Sequence, residues 1–257
     1  MQDDLSRLAL AGKVALVTGG TRGLGRCMVE AFADAGADVV ISSRKLDACV
    51  EASESVQSRT GRRCLPYACH VGRWDEIPGL IDAVYEEFGR LDVVVNNAGI
   101  SPLYPSLDAV TEELFDKTVG VNLKGPFRLC ALAATRMKQA GGGSIINVSS
   151  IAAARPTPRE LPYAAAKAGL NVLTTGFAMA YGPEVRVNTI MAGPFLTDIS
   201  QAWDMQAFDK HAAAFPLRRA GEPTEIVGAA LYLASAASSY TTGTVITVDG
   251  GSSIARM

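Results

Sequence analysis

Short runs of β-branched and other apolar residues alternate along this chain with longer alanine- and leucine-rich stretches whose apolar positions recur every three to four residues. The short runs at 14–17, 39–41, 93–95, 145–148, 185–190 and 245–248 predict strands, with a weaker seventh at 64–68. Helical spacing is clearest at 26–35, 77–88, 123–138, 163–180 and 223–234, where Thr224 or a neighbour could cap the last helix. Strands that are apolar on both faces and followed by helices read as successive βαβ units, hence as a parallel sheet covered on both sides. The expected fold class is doubly wound α/β.

No linker-like stretch divides the 257 residues, so a single domain is expected. The segment 226–248 carries no charged residue and reaches the length of roughly 20 apolar residues that spans a membrane. Ser235, Ser238, Ser239, Thr241, Thr242 and Thr244 break it into a helix, a polar turn and a strand, so no membrane span is expected. The formal net charge of −2 gives no nucleic-acid footprint, which leaves a small molecule as the expected partner. Cys27, Cys49, Cys64, Cys69 and Cys130 are odd in number and lack CxxC spacing, as expected for reduced thiols in a cytoplasm rather than a metal site. Residues 1–10 have no apolar core of signal-peptide length and read as a lead-in to the first strand.

Residues 13–25 read KVALVTGGTRGLG, a buried strand, then Gly19, Gly23 and Gly25, then a helix. Glycines let a backbone turn sharply and approach a pyrophosphate closely, and the helix that follows offers unpaired N–H groups to the anion. A turn made glycine-rich only for tight packing is the alternative. The spacing, TGxxxGxG, together with NNAG at 96–99, resembles the short-chain dehydrogenase/reductase family, and the resemblance runs over almost the whole chain. It implies a Rossmann-type doubly wound seven-stranded parallel sheet with helices on both faces. It also implies a nicotinamide dinucleotide held by Gly19, Thr21, Arg22, Gly23, Leu24 and Gly25, with Asn97, Ala98 and Gly99 beside them.

At the end of the second strand an NAD site usually places an acid on the ribose 2′-hydroxyl. Here Ser43 holds that position and Arg44 follows it, while Arg22 sits in the glycine loop. Two guanidinium groups suit a 2′-phosphate, so NADP(H) is favoured over NAD(H), the alternative being that both arginines are solvated surface charges.

Tyr163 and Lys167 form YAAAK, an i, i+4 pair on one face of a helix. Such a pair is common by chance, but Ser150 lies thirteen residues upstream at the end of SIINVSS, the spacing at which the family places its active-site serine. Ser150 is preferred over Ser149. Asn122, in VNLKG, matches the family's remaining catalytic asparagine. A free tyrosine has a pKa near 10, and an adjacent cation favours the phenolate, so Lys167 is expected to lower it. The implied scheme has Ser150 holding the substrate oxygen and Tyr163 giving or taking its proton, with no metal. By resemblance, Lys167 also holds the nicotinamide ribose, and Asn122 bends its helix and keeps a proton-relaying water.

The stretch 188–197, NTIMAGPFLT, resembles the segment that closes over the cofactor, which implies contacts from Gly193, Leu196 and Thr197. Two residues depart from the family pattern. Ala192 replaces a proline, which should loosen the loop, and His70 replaces an aspartate near the adenine, where it and Val71 either contact the cofactor or simply pack. His211 is expected to be a surface histidine. Residues 195–217 are expected to form a substrate lid, with Trp203, Met205, Phe208 and Phe215 either lining the pocket or packing on the domain. Arg155 and Arg159 should rim the pocket, meeting an anionic substrate or only solvent. Related proteins are typically homotetramers built through the helix at 163–180 and the strand at 245–248.

The expected function is an NADP-dependent oxidoreductase acting on a carbonyl or secondary alcohol. Two alternatives stay open: a non-catalytic NADP-binding sensor or scaffold of the same fold, and a dehydratase or epimerase that borrows the nicotinamide transiently.

Overall fold

The computed structural model describes residues 5–198, 200 and 204–255. Seven strands form one parallel sheet: β1 Val14–Thr18, β2 Asp38–Ser43, β3 Cys64–Ala68, β4 Val93–Asn96, β5 Gly143–Ser150, β6 Val185–Ala192 and β7 Val245–Val248. Their order across the sheet is β3-β2-β1-β4-β5-β6-β7. Successive strand residues point to opposite faces, and the cores divide accordingly. Ala15, Val17, Val39, Ile41, Val93 and Val95 join one apolar cluster, with Val29 and Phe32 of α1 (Gly23–Asp34) and Leu233 of α8 (Val227–Ala234). Val14, Leu16, Val40, Val94 and Ile145 join the other, with Leu80 of α3 (Ile77–Phe88), Leu129 of α5 (Gly125–Gln139) and Phe177 of α6 (Leu161–Tyr181). This is the doubly wound single domain that the apolar runs predict.

Two helices escape the pattern reading: α2 (Leu46–Thr60) and α4 (Glu112–Val119). The buried side of α2 is Cys49, Ala52, Ser53 and Val56, too small and polar to mark a stripe. In α4 only Thr118 is buried. The helix expected at 223–234 opens as a 3-10 turn, Pro223–Ile226, whose capping box joins Glu222 and Glu225 rather than using Thr224. Between α4 and α5, Gly120–Lys124 is a π turn.

The strand order reverses between β1, which continues to β2 and β3, and β4, which continues to β5. The crevice outside the strand ends at such a reversal is where α/β sheets bind ligands. A cavity of about 990 Å³ opens there.

Candidate active site

The glycine loop leaves β1 and is braced from β4. Asn97 Nδ2 donates to the carbonyls of Thr18 (3.0 Å) and Gly19 (3.2 Å), and Thr18 Oγ1 accepts from the amides of Asn97 (3.1 Å) and Ala98 (3.2 Å). The NNAG stretch therefore holds the turn in place from the neighbouring strand. Gly19 has φ +66°, and a Cβ on Gly25 would stand 2.2 Å from the Gly19 carbonyl oxygen, so the helix could not seat so close to the loop with any other residue there. Arg22 is the N-cap of α1 in extended conformation and makes no side-chain cap, leaving the first-turn amides available to a ligand.

Thr21, Arg22, Gly23 and Leu24 line the cavity together with Gly19, as do Asn97, Ala98 and Gly99. Gly25 lies behind the loop. Ser43 and Arg44 line the wall at the end of β2; the Ser43 hydroxyl bonds the Cys49 thiol at 3.3 Å, and Arg44 is exposed and makes no ion pair among the described residues. Arg22 reaches Asp198 at 3.5 Å, between two largely exposed side chains. β2 ends in Ser43 followed by Arg44, so its last residue and the next carry no carboxylate.

His70 and Val71 also line the cavity. His70 Nδ1 accepts from the Gly72 amide at 3.1 Å, which places the ring proton on Nε2 and makes the remaining nitrogen a donor. The aspartate expected here by resemblance is thus replaced by a group of opposite hydrogen-bonding sense.

At the reaction end, β5 delivers Ser150 and α6 delivers Tyr163 and Lys167, all three on the cavity wall. Ser150 and Tyr163 face the same cavity, and the Ser150 hydroxyl is close enough to favour the Tyr163 phenolate. Ser149 is buried and donates to the Lys167 carbonyl at 3.2 Å, so it ties the strand to the helix while Ser150 meets the phenol. Burial pushes the Tyr163 phenol up to about 12; the nearby Ser150 hydroxyl pulls it down and the Glu160 charge pushes it further up. Lys167 does not lower it as expected. Burial strips the ammonium of water and brings its own pKa down to about 8, and its Nζ, 5.8 Å from the Tyr163 ring centroid, donates to the Val148 carbonyl at 2.8 Å.

Asn122 lies in the π turn and off the cavity wall. Its side chain donates to the carbonyls of Thr118 (2.9 Å) and Ile100 (2.8 Å) and accepts from the Ile100 amide (3.2 Å), which replaces main-chain bonds where the helix widens. A Cβ on Gly99 would stand 2.9 Å from Asn122 Oδ1 and 3.6 Å from Lys167 Nζ, so the two groups flank one glycine.

The closing segment differs from expectation in two ways. Ala192 remains a paired residue of β6, opposite Ser150 and Val248, and Gly193 donates to the Val248 carbonyl at 2.9 Å, so the sheet holds the loop where proline would have ended the strand. Leu196 is not on the wall: its amide is spent on the Gly221 carbonyl at 2.9 Å, and Phe195 lines the cavity instead, with Gly193 and Thr197. His211 is exposed, as expected, and also lies on the cavity wall, edge-on to Phe215 at 5.1 Å.

Of the lid residues, Phe208 on α7 (Met205–Ala212) and Phe215 line the cavity, Met205 is exposed, and Trp203 lies outside the described residues. Arg155 is half-buried and donates to the carbonyls of Ser253 (2.5 Å) and Ala255 (2.9 Å), so it fastens the C-terminal segment rather than waiting for an anion. Ser252, Ser253 and Ala255 thereby become cavity wall, which nothing in their sequence signals. Arg159 is exposed and off the wall. Among the described residues, no helix is long and apolar enough to cross a membrane.

A family model described as enoyl-(acyl carrier protein) reductase matches residues 19–253. The human protein named dehydrogenase/reductase SDR family member 4 is 36% identical over 94% of this chain and 88% of its own. The 3-oxoacyl-[acyl-carrier-protein] reductase of Thermotoga maritima is 36% identical over 95% of this chain and 99% of its own. The crystal structure of a gluconate 5-dehydrogenase from Burkholderia cenocepacia, in complex with NADP and tartrate, superposes with a TM-score of 0.93 at 33% identity, covering 98% of this chain and 99% of that one. Matched along nearly its whole length by the family model and by these relatives, this chain belongs to the short-chain dehydrogenase/reductase family of NAD(P)-dependent oxidoreductases.

Proposed function

We propose that this chain is an NADP-dependent oxidoreductase that interconverts a carbonyl compound and a secondary alcohol, with Tyr163 as general acid/base. The observation that carries this reading is that Ser150, Tyr163 and Lys167 share the wall of a cavity whose other end is the amide-lined glycine loop.

The cavity fits a dinucleotide: Gly19 and Gly25 let the backbone close in, and the uncapped start of α1 offers amides to a pyrophosphate. Arg22 and Arg44 would take the 2′-phosphate, Ser43 would leave room for it, and Lys167 and Thr197 would hold the nicotinamide end. When bound there, nicotinamide supplies or accepts the hydride at the substrate carbon.

The chain's own residues handle the oxygen and its proton. Ser150 orients the substrate oxygen against the phenol, and Tyr163, protonated at neutral pH, donates to it during reduction. Lys167 stands behind Tyr163 and would return a proton to the phenolate, and a water held beside Asn122, next to Lys167 across Gly99, would then reprotonate the lysine. Phe208, Phe215 and His211 close the substrate side as a lid.

Exposed Val172 and Met179 on α6 and the half-exposed strand β7 give a second copy an apolar face, in keeping with a homotetramer. Five free thiols suit the cytoplasm. A panel of ketones and aldehydes with NADPH tests the reading: wild type turns over at least one, and Tyr163→Phe binds NADPH but loses about 10²–10⁴-fold in rate. Retention of most activity by Tyr163→Phe would remove it from the role.

A further inference from the structure

Tyr104 stands outside the main cavity, yet its hydroxyl joins two segments that shape it. The hydroxyl donates to the Pro158 carbonyl at 2.9 Å and accepts from the Leu161 amide at 2.8 Å. Leu161 is the first residue of α6, and Glu160 at the N-cap provides no side-chain cap. Helix N-termini are usually capped by the residue just before them. Here a first-turn amide is paired instead by a hydroxyl from a loop 57 residues earlier in the chain.

Tyr163 lies two residues beyond the capped amide. Tyr104 and Tyr163 border the same small void, together with Leu114 and Pro162. The pinned turn also carries Glu160, whose carboxylate accepts from Thr157 Oγ1 at 3.2 Å and whose charge reaches the Tyr163 phenol. One hydroxyl thus fixes the start of the helix that bears the phenol and the turn that bears a carboxylate acting on it.

We propose that Tyr104 is a positioning residue for the reaction assigned above: its hydroxyl caps α6 from the preceding loop, pins the turn at 158–161, and through both sets Tyr163 against Ser150. The proposal rests on the reading of Tyr163 as acid/base. It needs no contact between Tyr104 and substrate or cofactor. Its action is geometric, and a displacement of 1 Å at a reacting group costs about 10²-fold in rate.

Tyr104→Phe removes only the hydroxyl and leaves the aromatic packing. Three readouts follow. Hydrogen exchange at the Leu161 amide should accelerate at least about tenfold, as expected for loss of one hydrogen bond of order 1.4 kcal/mol. The pH midpoint of the tyrosinate absorbance that Tyr163→Phe abolishes should shift, and kcat on the carbonyl panel should fall about tenfold with NADPH affinity unchanged. An unprotected Leu161 amide in wild type, or an unmoved phenol titration in Tyr104→Phe, overturns the proposal; faster exchange with an unmoved titration means that the cap is structural only. If exchange and titration both shift in a protein that turns over no carbonyl, the positioning stands and the oxidoreductase reading falls.

Discussion

Lys167 Nζ donates to the Val148 carbonyl at 2.8 Å, a bond from the second turn of α6 to the strand two residues before Ser150. It fixes the lysine where burial lowers its pKa to about 8. The unfolded chain holds that proton up to a pKa near 10.4. The contribution of Lys167 to stability is therefore lowest below about pH 8 and rises between about 8 and 10.4, where only the unfolded state keeps the proton. Denaturant titrations across that window should show the rise in wild type and a flatter profile in Lys167→Met; equal profiles would mean that the lysine is not desolvated.

Glu160 raises the Tyr163 phenol through its charge, after burial has already raised it. Glu160→Gln should lower the phenol's pKa, because the phenolate then forms without a neighbouring anion. In the alcohol-oxidising direction the rising alkaline limb of the rate profile should move to lower pH. An unmoved limb would place another group in control of it.

Two glycines predict opposite outcomes. A Cβ at Gly25 would meet the Gly19 carbonyl oxygen at 2.2 Å, so Gly25→Ala must push α1 off the loop, with loss of dinucleotide binding and a lower Tm. Gly228 sits inside α8 with nothing within 4 Å of a Cβ, and alanine there should stabilise by about 0.5–1 kcal/mol. Thermal melts of both variants check the pair.

Asp92 closes the bottom of the sheet. Its carboxylate accepts from the Val14 amide (3.0 Å), Lys13 (3.1 Å) and Arg90 (2.6 and 2.7 Å). Burial works to raise its pKa, but the bonds from Arg90, Val14 and Lys13 outweigh it and hold the carboxyl below its usual value. This stability is present above the unfolded pKa of about 3.9 and is lost as pH falls through the folded value. At neutral pH Asp92→Asn should cost about 1.5–3 kcal/mol, the range for one hydrogen bond to a charged group. Its urea midpoint should approach that of wild type in acid.

The sheet was legible because its strands are apolar on both faces: Leu16 and Val17, for example, serve opposite cores. The glycine loop and the Tyr163–Lys167 pair were legible because tight turns and helical i, i+4 pairs are local in sequence, whereas Ser150 was read only from its spacing by resemblance to the family. What the sequence hid depends on contacts between distant segments. Leu196 looked like a cofactor contact until Gly221 took its amide, Arg155 looked solvent-facing until the C-terminal carbonyls met it, and the cap on α6 comes from Tyr104. Helices α2 and α4 were missed because their buried faces are made of alanine, serine, threonine and a few larger residues.

The most direct test of the account is titration of the purified protein, and of Arg44→Asp, with NADPH and NADH, following the fluorescence of bound nicotinamide. The account predicts that wild type prefers NADPH and that Arg44→Asp shifts the preference toward NADH, since guanidinium pairs with a 2′-phosphate and a carboxylate repels it. Preference of wild type for NADH, or an unchanged ratio in Arg44→Asp, would contradict the assignment of the phosphate site; binding of neither nucleotide would contradict the oxidoreductase reading itself.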